Sequence, residues 1–143
     1  MLNYCFKSKD ELIKIAVDNI IFEEFKQYSN NYSEQPAILQ LRNLLIQISK
    51  AVIKYQELTK ASIPYFMLEE EIKLPLKILP FIKKYYNNQK TDVECKVIAF
   101  HIVYSLQLIF YKSEDFKEYV NIDIIDLKQL IKFIDMQLDL FLP

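Results

Sequence analysis

His101 is the only histidine among 143 residues, and Ser105 follows it by one helical turn. A base and a hydroxyl at this spacing suit nucleophilic catalysis, which also needs a turn of backbone donors for the oxyanion. Glycine builds such turns, and the chain has none, where average usage would give roughly ten. Dinucleotide folds of the G-x-G-x-x-G type, Walker loops and G-x-S-x-G elbows are therefore excluded. The expected state of His101 is a core residue hydrogen-bonded to Ser105 or to a carbonyl, with no catalytic role. Glu69, Glu70 and Glu71 could ligate a metal only if they converged, and consecutive helical residues point about 100° apart. They are expected to form a solvated acidic face, so no metal site is implied. Cys95 beside Lys96 reads as a buried structural thiol. Cys5 lies ninety residues earlier with no C-x-x-C, which indicates neither a disulfide framework nor a zinc knuckle. A cytoplasmic protein without cofactor or small-molecule substrate is the expectation.

The cations carry the remaining signal. The chain is nearly neutral overall, with 18 basic and 19 acidic residues. Residues 42–90, however, hold nine basic and four acidic side chains, a net +5 that leaves −6 for the remainder. One face could thus attract a polyanion. Arg42, Lys50 and Lys54 share the polar side of one predicted helix, and Lys73, Lys77, Lys83 and Lys84 recur near helical spacing further on. Phosphate contacts need cations on a common face, and Tyr85 and Tyr86 could stack on bases. A solvated lysine row gives the same pattern.

These residues must be positioned by helices, because hairpin signals are few and 3.6-residue periodicity is sustained. The pattern predicts an all-α, single-domain bundle of about five helices over residues 1–143. The first opens on a Ser8/Glu11 capping box, turns Ile13, Val17, Ile20 and Phe25 inward, and ends near Asn30 or Asn31. The second covers 33–60, with Ile38, Leu41, Leu45, Ile48, Val52 and Tyr55 inward and Gln40, Asn43, Gln47, Lys50, Lys54 and Glu57 outward. Pro64, Pro75 and Pro80 kink the third, giving pieces near 65–73 and 76–86 that close on Asn87 or Asn88. The fourth runs from a cap at Thr91 or Asp92 to about Lys112, and its nearly all-round apolar surface makes it the expected central helix. Its core, 97–111, is interrupted by His101, Ser105 and Gln107, which favours a buried helix over a membrane span. The last is expected to be capped at Asp123, with Leu127, Leu130, Ile131, Ile134, Leu138 and Phe141 inward.

Gln40-Leu41-Arg42-Asn43-Leu44-Leu45, preceded by Asp10-Glu11 and the helix containing Ala16, resembles the small subunit of type III-A CRISPR Csm effector complexes. Leu76 through Tyr85 is similar to that family's L-x-P-x-x-x-Y stretch, and the segment from Asp126 to Asp135 to its closing helix. The resemblance implies a non-catalytic antiviral-defence subunit that stacks in several copies along guide and target RNA beside other effector-complex subunits. It places Arg42, the chain's only arginine, on the motif arginine, where its fork suits a phosphate or a buried carboxylate. Spacing adds Lys50, Lys54, Lys83 and Lys84 as phosphate contacts. The alternative is a small helical protein-interaction protein, such as a bacteriocin immunity protein or a phage-encoded inhibitor, with no nucleic-acid role.

Overall fold

The computed structural model describes the backbone of residues 2–31 and 34–143, with side chains for 9–28 and 34–143. Seven helices and no strand occur among the described residues: α1 (Leu2–Asn31), α2 (Ala37–Lys54), α3 (Gln56–Leu68), α4 (Leu74–Tyr86), α5 (Asp92–Tyr111), α6 (Ser113–Val120) and α7 (Leu127–Phe141). The expected second helix is two elements. Its apolar period continues through Tyr55, but the chain bends there, and the Thr59 hydroxyl lies 2.9 Å from the Val52 carbonyl and 3.1 Å from that of Tyr55. A buried hydroxyl seven residues on thus satisfies a carbonyl that the broken helix leaves unpaired. Ser33, the expected start, lies outside the described residues.

Proline acts less sharply than its chemistry suggests. Pro64 and Pro80 both sit inside helices, and the carbonyls they free belong to Lys60 and Leu76, which are solvent-exposed residues. The break falls instead at residues 69–73, ahead of Pro75 in the first turn of α4. At the N-terminus, Ser8 lies within α1 rather than at its start, and its side chain is outside the described set, so the Ser8/Glu11 cap does not open the helix. Asn30 and Asn31 lie inside the helical span.

Asparagine replaces glycine elsewhere. Asn87, Asn88 and Asn121 take φ of 46°, 67° and 59°, closing α4 and α6 in the left-handed region that only glycine enters more cheaply. α5 opens on a reciprocal capping box between Thr91 and Glu94, both bonds 3.1 Å long. α7 is capped by Asp126, whose carboxylate accepts from the Gln129 amide at 3.2 Å. Asp123, the expected cap, makes the preceding turn by accepting from the Ile125 amide.

α5 does not hold the centre alone: α2 packs against α1, α3, α4 and α7, as α5 packs against α3, α4, α6 and α7. Leu41 and Leu44 are fully buried and meet Ile78 and Ile82 of α4, Ile102 of α5, and Leu130 and Ile134 of α7 in one core. α5 is covered on one face. Cys95, Ala99, Ile102, Val103, Leu106 and Phe110 point inward, while Val93, Val97, Phe100, Leu108 and Tyr111 remain exposed. The core therefore predicts two opposite results from similar truncations. Ile82→Ala should cost about 2–5 kcal/mol, and Leu68→Ala, at an exposed site, should stay within about 0.5 kcal/mol in urea unfolding.

Candidate functional site

The cationic candidates rise from the polar side of α2, and most of that side is not free. Gln40 is buried and its amide nitrogen donates to the Gln35 carbonyl at 2.6 Å. Asn43 donates to the Gln35 side chain at 3.1 Å, and Gln47 reaches Glu24 of α1 at 2.7 Å. Arg42 grips Asp135 of α7 with both arms of its fork, Nε to Oδ1 at 2.5 Å and Nη2 to Oδ2 at 3.2 Å. Hydrogen bonding to Asp135 raises the Arg42 pKa. The bidentate geometry that arginine supplies and lysine does not is thus used to tie α2 to α7.

Lys50 and Lys54 are exposed one turn apart on α2, and the Lys54 ammonium lies over the Tyr55 ring at 5.2 Å. Lys83 pairs with Asp92, whose second oxygen is held by Lys96 at 2.9 Å. Together the two lysines hold the Asp92 carboxylate below its usual range. Lys84 is exposed, with no carboxylate within 4.0 Å among the described residues. The structure does not gather these cations. The end of α2 that carries Lys50 shares an interior cavity with Leu74, Lys77 and Ile78 of α4, whereas Lys83 and Lys84 occupy the other end of α4. Tyr85 and Tyr86 are half-buried, with hydroxyls at 3.1–3.4 Å from the main-chain oxygens of Phe141, Leu142 and Pro143. They dock the end of α7 onto α4, and burial raises the Tyr86 hydroxyl pKa.

The other candidates resolve differently from expectation. His101 is not a core residue: it is exposed and stacks on Phe141 at 5.9 Å. Ser105 donates to the Ile102 carbonyl and accepts from Gln137 at 2.6 Å, so the two never pair. Glu70 is not part of a solvated face. Its side chain is 9% exposed and bridges Lys73 at 2.7 Å and Lys14 at 3.2 Å. These two ammonium groups, Lys73 foremost, pull its pKa down. Cys95 is buried and free. No group of three histidine, cysteine or carboxylate side chains is placed to share a metal among the described residues.

Two surfaces remain that sequence reasoning missed. The first is a cavity of about 410 Å³ between α1 and α2 to α5, walled by Phe22, Phe25, Phe66 and Phe110 among others. Its charged rim is partly paired: Glu70 holds Lys14 and Lys73, and Lys77 sits over Phe22 and Phe25 at 5.8 and 5.0 Å, while Asp18 and Glu71 also line it. The second is the outward face of α5, joined by the exposed Met136 and Leu140 of α7. α5 is the one described helix long and apolar enough to cross a membrane, with 33% of its most apolar stretch buried. Its period was legible in the sequence, where the all-round apolar surface suggested the centre. No protein-family model, curated protein or solved structure matches the chain.

Two measurements check this geometry. A double-mutant cycle on Arg42→Ala and Asp135→Ala should give a coupling of about 0.5–1 kcal/mol, as expected for a half-exposed bidentate pair. Glu70 has a folded pKa below its unfolded value, so its stabilising effect is complete above the ordinary glutamate range and fades as pH falls through the folded pKa. Glu70→Gln should accordingly lower the melting temperature at pH 7, and the difference from wild type should shrink on acidification.

Proposed function

We propose that this chain is a non-catalytic helical interaction protein that works through the outward face of α5. The observation that supports this reading is the exposure of Val93, Val97, Phe100, Leu108 and Tyr111 on one helix whose opposite face is fully packed. Contiguous apolar surface of this kind marks an interaction site on a protein that folds around a separate core. The helix is also held in place, by the Thr91 cap at its head and by the contacts of His101 and Ser105 with Phe141 and Gln137 of α7, so the face is preorganised.

The second reading is the RNA-binding subunit of a type III CRISPR complex, assembling with copies of itself and with other subunits on guide and target RNA. It is favoured by Lys50, Lys54 and Lys84, which have no carboxylate partner among the described residues. Against it stand the engagement of Arg42 by Asp135 and of Lys83 by Asp92. Both readings agree with a protein that has no cofactor, and the first needs no nucleic acid.

Photo-crosslinking from position 104 and position 50 in the native cells separates the two. Nuclease-resistant protein adducts from position 104, lost in a Val97→Glu, Phe100→Glu variant, are the expected result. Nuclease-sensitive adducts from position 50, with none from 104, would overturn the interaction reading. In a salt titration of RNA binding, Lys50→Glu, Lys54→Glu should match wild type; a salt slope reduced by the substitutions favours the RNA reading.

A further inference from the structure

Turned end for end, the outward face of α5 still sets apolar residues against apolar residues, to within one residue of register. Val93, Val97, Phe100, Tyr104, Leu108 and Tyr111 follow spacings of 4, 3, 4, 4 and 3, which at about 100° per residue places them in one stripe. Tyr104 is half-buried and the other five are exposed, and the Phe100 and Tyr104 rings lie 4.5 Å apart at its middle. Reversal about the point between those rings lays Val93 on Tyr111, Val97 beside Leu108 and Phe100 on Tyr104. Aliphatic residues thus meet an aromatic or a second aliphatic towards the ends, two aromatic rings meet at the middle, and no level opposes two charges.

The flanks obey the same reversal. Glu94 and Lys112 stand five turns apart at 3.6 residues per turn, so they share one edge of α5 at opposite ends. Antiparallel pairing carries each Glu94 to the Lys112 of the other copy. Lys112 has no carboxylate within 4.0 Å among the described residues, while Glu94 accepts from the Thr91 amide through Oε1 and leaves Oε2 with a long contact to Lys90 at 3.7 Å. A two-fold interface must be complementary to itself, with residue i meeting j and j meeting i. This stripe meets that condition in both its apolar and its charged positions.

We propose that the partner of this face is a second copy of the chain, the two α5 helices pairing antiparallel about a two-fold axis between Phe100 and Tyr104. This rests on the reading of α5 as the working surface. α7 enlarges the contact. Its Gln137 and Phe141 touch Ser105 and His101 of α5, and the residues directly before them, Met136 and Leu140, remain exposed beside the stripe. A stripe about 27 Å long is a small interface near the lower bound for specific complexes, so the dimer is weak, with a dissociation constant of about 1–100 μM.

Sedimentation equilibrium of the full chain across about 1–300 μM covers that range. A monomer–dimer equilibrium is expected. Phe100→Glu, Tyr104→Glu should abolish it with unchanged circular dichroism. Lys112→Glu should weaken it several-fold, and adding Glu94→Lys should restore it. In a Cys5→Ser background under mild oxidation, Val93→Cys should crosslink to Tyr111→Cys and not to itself. A monomer at all concentrations, self-crosslinking of Val93→Cys, or flotation with neutral phosphatidylcholine vesicles in place of dimerisation overturns the pairing. A monomeric wild type that still gives protein adducts from position 104 overturns the pairing alone; loss of those adducts takes the interaction reading with it.

Discussion

Leu41, Leu44 and Leu45 sit on a single turn of α2, and their burial brings α2 against four other helices at once. One helix can be enclosed in this way only if its polar side chains are also satisfied inside the protein. The N-terminal half of α2 meets that condition with Gln40, Asn43 and Gln47 bonded to Gln35 and Glu24, and with Arg42 bonded to Asp135. The ordering of the other helices follows. α7 is held at one end of α2 by the arginine fork and docked onto α4 by Tyr85 and Tyr86, and α4 carries α5 on its far side. With α2 sharing the centre, α5 is left with one face packed and one face bare.

That distribution reflects a surplus. A chain that is 52% apolar has more hydrophobic surface than a core of this size can cover. Scattered exposed leucines would be unremarkable, but the surplus on α5 is aligned along the whole helix, while the cationic residues are dispersed and several are paired. The cavity between α1 and the remaining helices shows the same looseness without the same order. Part of its charged rim is paired through Glu70, and the buried Gln107 Oε1 on its wall has no hydrogen-bond partner.

Local chemistry was legible in the sequence where a single residue decides the outcome. A cap at Thr91 at the head of α5, an asparagine closure of α4 at Asn87 or Asn88 and the second proline-rich piece all follow from side chains acting on their own backbone. What was hidden depends on partners far along the chain. The bend at Tyr55 needs a threonine four residues later to cap a carbonyl, so the continuous apolar period of residues 38–55 gives no sign of it. Arg42 reads equally as a phosphate ligand or a structural fork until Asp135 is placed beside it. The apolar girth of α5 signals burial on both sides, and only the competition of α2 for the centre shows that one side loses. Of the five cationic candidates, the two that are paired differ from the free ones by neighbours on other helices, which spacing does not reveal.

The claim that supports the rest is that the stripe on α5 belongs to the surface of the folded monomer. Thermal unfolding of Val97→Glu, Phe100→Glu, Leu108→Glu at sub-micromolar concentration tests it most directly. Three glutamates on a solvent face should leave the melting temperature within about 5 °C of wild type. A fall of more than about 15 °C, as three carboxylates forced into a core would cause, would contradict the account.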